Sequence, residues 1–189
     1  MSPIIGIMAS QNYPRVTNSY ESIATYTVGA GGSSTITFSS IPSTFKHLQL
    51  RAIVRGNSAS TIDAIKMTFN SDTSSSNYVT LHQIYGSGST IAAQNSTGNG
   101  WIYQSYVAGN SANSNVFGAY VTDILDYTST NKNKTTRTLC GIDNNGGGYV
   151  TFGSGLWMNS STAINRIDLE VDSSTFRQYS QIALYGIKG

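Results

Sequence analysis

The segment Arg166-Ile167-Asp168-Leu169-Glu170-Val171 alternates strictly between polar and apolar side chains, the period a half-buried β-strand requires. His47 to Arg55 repeats the pattern, with Leu48, Leu50, Ala52 and Val54 on one face and Gln49, Arg51 and Arg55 on the other; Ile53 is an apolar exception on the polar face. Ile65, Met67 and Phe69 give the same period a third time. No segment carries a helical period. The alternation predicts strands at 22–28, 34–38, 47–54, 64–69, 78–85, 101–106, 116–125, 135–142, 149–152, 164–171 and 180–187, at roughly the 8–12-residue spacing of sandwiches and barrels.

The residues between these segments suit turns. Ala30-Gly31-Gly32 and Asn144-Asn145-Gly146-Gly147-Gly148 accept positive φ, and Pro42 ends a strand by removing a ladder donor. The stretch 86–100, rich in Ser, Gly and Asn, reads as a long loop. Many half-buried strands can hide their apolar faces only in two facing sheets or a closed barrel. The expectation is an all-β chain folded as an antiparallel β-sandwich, with jelly-roll topology favoured by the high strand number and uneven loops.

Length is consistent with this. A chain of 189 residues fits one domain and buries something like 70% of its unfolded surface, so it needs no disulfide or metal to hold a core. Residues 20–189 are read as that single domain. Residues 1–19 are read as a short N-terminal arm, because the apolar run Ile4-Ile5-Gly6-Ile7-Met8-Ala9 is followed by Gln11-Asn12-Tyr13-Pro14-Arg15, which has neither period. Ile4, Ile5, Ile7 and Met8 are the arm's candidate anchoring contacts, made either to its own domain or to a neighbouring subunit.

The run is too short and lacks the basic flank of a secretory signal, and no stretch has the length of a membrane span, so synthesis in a cytoplasm without membrane insertion is expected. Lys and Arg number 11 against 9 Asp and Glu, and the basic residues are scattered, which argues against a nucleic-acid footprint. Charged residues make up only 11% of the chain, where about 25% is usual. Ser, Thr, Asn, Gly and twelve Tyr take their place, a balance found in densely packed assemblies and in carbohydrate-facing proteins.

Catalytic constellations are not evident. His47 and His82 lie in separate strands without metal-ligand spacing, and Cys140, the only cysteine, reads as an apolar filler. No nucleophile elbow, Walker loop or dinucleotide fingerprint occurs. The oxygen-rich loops Asn70-Ser71-Asp72-Thr73 and Asp143-Asn144-Asn145 miss the EF-hand spacing and read as Asx turns. Thr130-Asn131-Lys132-Asn133-Lys134 reads as a solvated loop tip. A non-enzymatic chain without cofactor or metal is expected. One binding candidate stands out: Trp101, Tyr103 and Tyr106 cannot all point into a core by alternation, and outward aromatics beside Asn and Gln serve sugar platforms and protein interfaces alike.

Several segments together carry a family look: Ile5-Gly6-Ile7-Met8-Ala9-Ser10, Ser19-Tyr20-Glu21-Ser22-Ile23-Ala24-Thr25, Gly31-Gly32-Ser33-Ser34-Thr35-Ile36-Thr37-Phe38, Phe45-Lys46-His47-Leu48-Gln49-Leu50-Arg51, Phe69-Asn70-Ser71-Asp72 and Ala183-Leu184-Tyr185-Gly186-Ile187-Lys188-Gly189. The chain resembles small virion structural proteins of tailed bacteriophages over nearly its whole length. The resemblance implies a virion location and a protein made in the host bacterial cytoplasm. Its expected partners are further copies of itself, as a homotrimer, and other virion proteins such as the major capsid or tail proteins. The first expectation is a capsid decoration protein held by its N-terminal arm. The second is a tail fibre or tail-tip protein that binds host surface glycan through the Trp101 region, and a free lectin or glycosidase is the third.

Overall fold

The computed structural model describes residues 19–87, 89–144, 147–172 and 174–189, with side chains described throughout except at 81–85 and 87. The expected anchoring residues Ile4, Ile5, Ile7 and Met8 lie outside the described residues. Twelve strands succeed one another: β1 (Tyr20–Thr27), β2 (Thr35–Phe38), β3 (His47–Val54), β4 (Ile62–Phe69), β5 (Tyr78–Ser87), β6 (Thr90–Thr97), β7 (Ile102–Ala108), β8 (Gly118–Leu125), β9 (Lys134–Asp143), β10 (Gly148–Trp157), β11 (Ile167–Val171) and β12 (Gln181–Ile187). They pair antiparallel into an eight-stranded sheet, β1-β12-β3-β8-β9-β10-β5-β6, and a four-stranded sheet, β2-β11-β4-β7. The two sheets form a β-sandwich, and the chain passes repeatedly from one to the other, as in a jelly roll.

Alternation builds the core. Leu48, Leu50, Ala52 and Val54 of β3 face Ile65, Met67 and Phe69 of β4 and Ile167, Leu169 and Val171 of β11, all buried. Each such aliphatic or aromatic side chain removed from water contributes about 1.5–3 kcal/mol before the entropy of ordering the chain is charged against it. Where the sheets need a polar contact, it is shared. Gln104 on β7 accepts hydrogen bonds through Oε1 from Thr122 of β8 at 3.0 Å and Thr138 of β9 at 3.1 Å, and the two hydroxyls are 2.8 Å apart.

Three sequence expectations need correction. The stretch 86–100 is not one loop, because β6 runs through it as the edge strand against β5. Both faces of β6 are largely exposed, so no apolar alternation marks it. Lys134 does not lie on a solvated tip. It begins β9 fully buried, its ammonium donating to the Asn159 carbonyl at 2.7 Å and lying 5.3 Å from the Trp157 ring centroid. Arg55 continues the polar phase of β3 yet is buried, because loops fold over it. The loop at Asp72 does form the Asx turn: Oδ1 accepts the Ser74 N–H at 2.9 Å, while Oδ2 accepts from Asn77 and from Trp157 Nε1.

The sandwich has two distinct ends. At one lie the connections β1–β2, β3–β4, β5–β6, β7–β8, β9–β10 and β11–β12; at the other lie the remaining connections, the start of β1 and the end of β12. The second end is closed by the rings of Phe69, Tyr78 and Trp157, with Phe69 and Tyr78 centroids 5.5 and 6.5 Å from Trp157. The Tyr78 hydroxyl accepts the Phe69 N–H at 2.9 Å and donates to the Asp72 carbonyl at 2.9 Å. Beside it, Phe45 packs on Gly186 of β12 so closely that a Cβ there would stand 2.2 Å from the ring.

This packing has measurable consequences. Gly186→Ala drives a methyl into the Phe45 ring and should cost about 1–3 kcal/mol in urea unfolding, the scale of core overpacking. The buried Tyr120 and Tyr78 hydroxyls differ: that of Tyr120 has no hydrogen-bond partner among the described residues, that of Tyr78 has the two just given. Tyr78→Phe should therefore lower stability by about 1–3 kcal/mol, while Tyr120→Phe leaves it unchanged or raises it. Burial raises both phenol pKa values above the ordinary value. Their contribution to stability is complete below the unfolded tyrosine pKa and is lost as pH rises through the folded values, so the wild-type protein should weaken in alkali. Equal destabilisation by the two substitutions would contradict this account.

Candidate interaction surfaces

The outward face of the eight-stranded sheet is laid out in rows, because strand register fixes which side chains stand side by side. One row runs Tyr185, Gln49, Asp123, Arg137 across β12, β3, β8 and β9. It is a connected polar ladder. Gln49 Nε2 donates to Asp123 Oδ1 at 2.7 Å, and Arg137 donates to Oδ2 at 2.6 Å. Burial pushes the Asp123 carboxyl up, but the hydrogen bonds from Gln49 and Arg137, with the Arg137 charge, hold it below its ordinary value. Arg51 donates to Gln49 Oε1 at 2.7 Å, and its guanidinium carbon lies 5.0 and 4.8 Å from the ring centroids of Tyr20 and Tyr185.

The next two rows are mostly apolar. The first is Ala183, Arg51, Val121, Leu139, Phe152, and the second is Gln181, Ile53, Ala119, Gly141, Val150. Ile53, Leu139, Val150 and Phe152 are each at least half exposed, at 50–57% of full accessibility. Together with Val121 they make a contiguous apolar band around a shallow depression of about 560 Å³, lined also by Tyr120 and Cys140. Contiguous exposed apolar bands are the kind of surface found where proteins meet other macromolecules. The sequence carried its signal in Ile53, the apolar residue out of phase on β3, and in the lack of clean alternation along β8, β9 and β10. No reading of single strands, however, shows that these residues lie next to one another.

The aromatic candidates separate. Trp101 and Tyr103 meet on the outward face of the four-stranded sheet, edge to face at 6.2 Å. The Lys66 ammonium lies 4.0 Å from the Trp101 ring centroid and is ion-paired with Asp172, so one face of the indole is already occupied. Below it is a small depression of about 200 Å³ bordered by Thr68, Asp168 and Glu170. Asp168 is held by Arg166 at 2.8 Å and by the Thr37 hydroxyl at 2.6 Å.

Tyr106 does not join them. A register shift between Ile65 and Lys66 leaves Gln104 bulged, so that Ser105 pairs with the buried Ile65 and Tyr106 with Ala64; the partly buried Tyr106 ring lies 5.9 Å from that of Tyr149 and its hydroxyl accepts from Gln94 at 3.3 Å. Of the three candidate aromatics, Trp101 and Tyr103 thus meet each other, while the Tyr106 ring meets Tyr149.

The remaining chemistry-bearing groups are dispersed. His47 Nδ1 accepts the Asp126 N–H at 3.0 Å. Cys140 is buried, its Sγ 2.8 Å from the Tyr106 carbonyl, and burial pushes its thiol up to about 12. Among the described residues no three of His, Cys, Asp and Glu stand close enough together to hold a metal ion, and no helix is long and apolar enough to cross a membrane.

No protein-family model matches the chain, and no curated protein matches it. Similar solved structures include galectin LEC-6 of Caenorhabditis elegans, at 10% identity over 87% of this chain and 96% of that one, with a TM-score of 0.32. A single mutant of congerin II is 17% identical over 78% of this chain and 98% of its own, with a TM-score of 0.30. A fructofuranosidase from Schwanniomyces occidentalis is 8% identical over 94% of this chain and 36% of its own, with a TM-score of 0.28. At such scores none of them carries an argument about the surfaces described above.

Proposed function

We propose that this chain is a non-enzymatic structural subunit on the outside of a tailed-bacteriophage particle, where it assembles as a homotrimer and docks onto a capsid or tail protein. The observation that carries the reading is the apolar band of Ile53, Val121, Leu139, Val150 and Phe152. An isolated subunit would leave these side chains in water, and each buried at an interface contributes on the order of 1–2 kcal/mol. The polar ladder Gln49–Asp123–Arg137 along one margin of the band supplies the satisfied hydrogen-bonding rim that an apolar patch needs to associate in one register. Closed rotational symmetry limits such growth to a fixed number of copies. The low charge of the chain is consistent with copies standing close together.

Sedimentation and native mass spectrometry of the full chain test the assembly. A trimer is expected, and Leu139→Asp should return it to a folded monomer with unchanged far-ultraviolet circular dichroism, since Leu139 touches water rather than the core. A monomeric wild type, or a trimer indifferent to Leu139→Asp, would overturn the interface. A cryo-EM map of the producing particle tests the location: density repeated on the shell or on the tail is expected, and its absence from the particle would sink the virion reading.

A further inference from the structure

The end of the sandwich formed by the β3–β4, β7–β8 and β11–β12 loops holds two arginines, Arg55 and Arg177, on one cleft. Arg55 is 5% exposed, and its guanidinium is spent on backbone: Nη1 donates to the carbonyls of Asn113 at 2.8 Å and Val116 at 3.2 Å, and Nη2 to those of Ala112 at 3.0 Å and Asn110 at 3.2 Å. Its Nε is buried without a partner among the described residues. Arg177 is exposed, and its guanidinium donates to the amide oxygen of Asn110 at 2.5 Å. Neither arginine has an ion-pair partner among the described residues, and no Asp or Glu lines the cleft of about 320 Å³ that both of them border. Burial, and then the nearby Arg177 charge, lower the Arg55 pKa from its ordinary value.

Two cations held together without a counter-charge attract an anion, and a guanidinium offers a carboxylate or phosphate a forked pair of donors. The rest of the cleft narrows the choice. Asn115 and Gln178 present neutral amides, which suit hydroxyl groups, and Tyr179 presents a ring that is 71% exposed. Both Asn115 and Tyr179 are held at positive φ, 62° and 71°, a costly backbone state for a tyrosine and one that clusters at ligand sites. The Tyr179 turn is fixed from both sides, by its own N–H to the Val28 carbonyl at 3.0 Å and by the Ser180 N–H to the Arg177 carbonyl at 3.1 Å. A second cleft of about 230 Å³ shares Arg177 and Gln178, so the groove continues beyond one small ligand.

We infer that this cleft binds a carboxylate-bearing sugar of an acidic polysaccharide, with Arg177 on the carboxylate, the amides of Asn115 and Gln178 on hydroxyls, and the Tyr179 ring against the sugar's C–H face. Arg55 acts as a positioning residue that fixes the 110–116 loop and adds its charge to the site. The inference is independent of the trimer and of where on a particle the chain sits.

The test is calorimetric titration of the full chain with N-acetylneuraminic acid, glucuronic acid, galactose and inorganic phosphate, with backbone amide NMR shifts locating the contact. At least one acidic sugar is expected to bind and to shift residues 110–117 and 177–179, with galactose silent. Arg177→Gln should weaken that binding by roughly tenfold or more, the scale of one charge-assisted forked pair. Its unfolding temperature should not change, because Arg177 is exposed; Arg166→Gln, on the other sheet, should bind as wild type. Equal binding of galactose, shifts confined to other surfaces, an Arg177→Gln variant of undiminished affinity, or phosphate binding where both acidic sugars fail would each overturn the proposal.

Discussion

Arg55 is the joint on which one end of the molecule is built. Its four backbone bonds gather the carbonyls of Asn110, Ala112, Asn113 and Val116, which would otherwise be left under-satisfied as that loop folds over the sandwich. Its own backbone also closes the neighbouring turn: the Arg55 N–H meets the Ser180 hydroxyl at 3.1 Å, and its carbonyl accepts the Arg177 N–H at 2.8 Å. Three chain segments far apart in sequence thus depend on one side chain. A carboxylate partner would have satisfied the charge more cheaply, but it could not have tied a loop by its backbone.

The two outward faces solve different problems with the same device, register. On the eight-stranded sheet, residues two apart along each strand line up into rows, so a single polar row can sit beside two apolar ones and give the face a direction. On the four-stranded sheet a single bulge at Gln104 resets the phase of β7, so that Tyr103 pairs with Lys66 and Tyr106 with Ala64 while Ser105 and Val107 are buried. The same bulge places Gln104 where it can serve Thr122 and Thr138 of the opposite sheet.

Strands with one clean face were legible in the sequence, and β3 appears with the bounds that alternation gave it. Alternation could not reveal whatever depends on more than one strand. β6 leaves no trace in the pattern because neither of its faces is covered, so nothing selects for a period. Lys134 and Arg55 look like solvated cations in the sequence because a local pattern contains no information about a Trp ring or a loop arriving from far along the chain. Ile53 was visible as an anomaly, yet its meaning came only from Val121, Leu139 and Val150 standing beside it. The pairing of Arg55 with Arg177 had no local signature at all.

The placement of β1 has a geometric consequence. Tyr20 enters the large sheet at the end opposite the Arg55 clasp, so the chain's point of entry and the Tyr179 turn are separated by the full length of the strands. Seven or eight residues at about 3.3 Å each put that separation near 25 Å. A copy held to any support through the segment preceding β1 would stand upright, with the loop end as its summit. The distance between base and summit is then set by strand length alone, and a ligand met at the top would be held a fixed, rigid step away from whatever lies beneath.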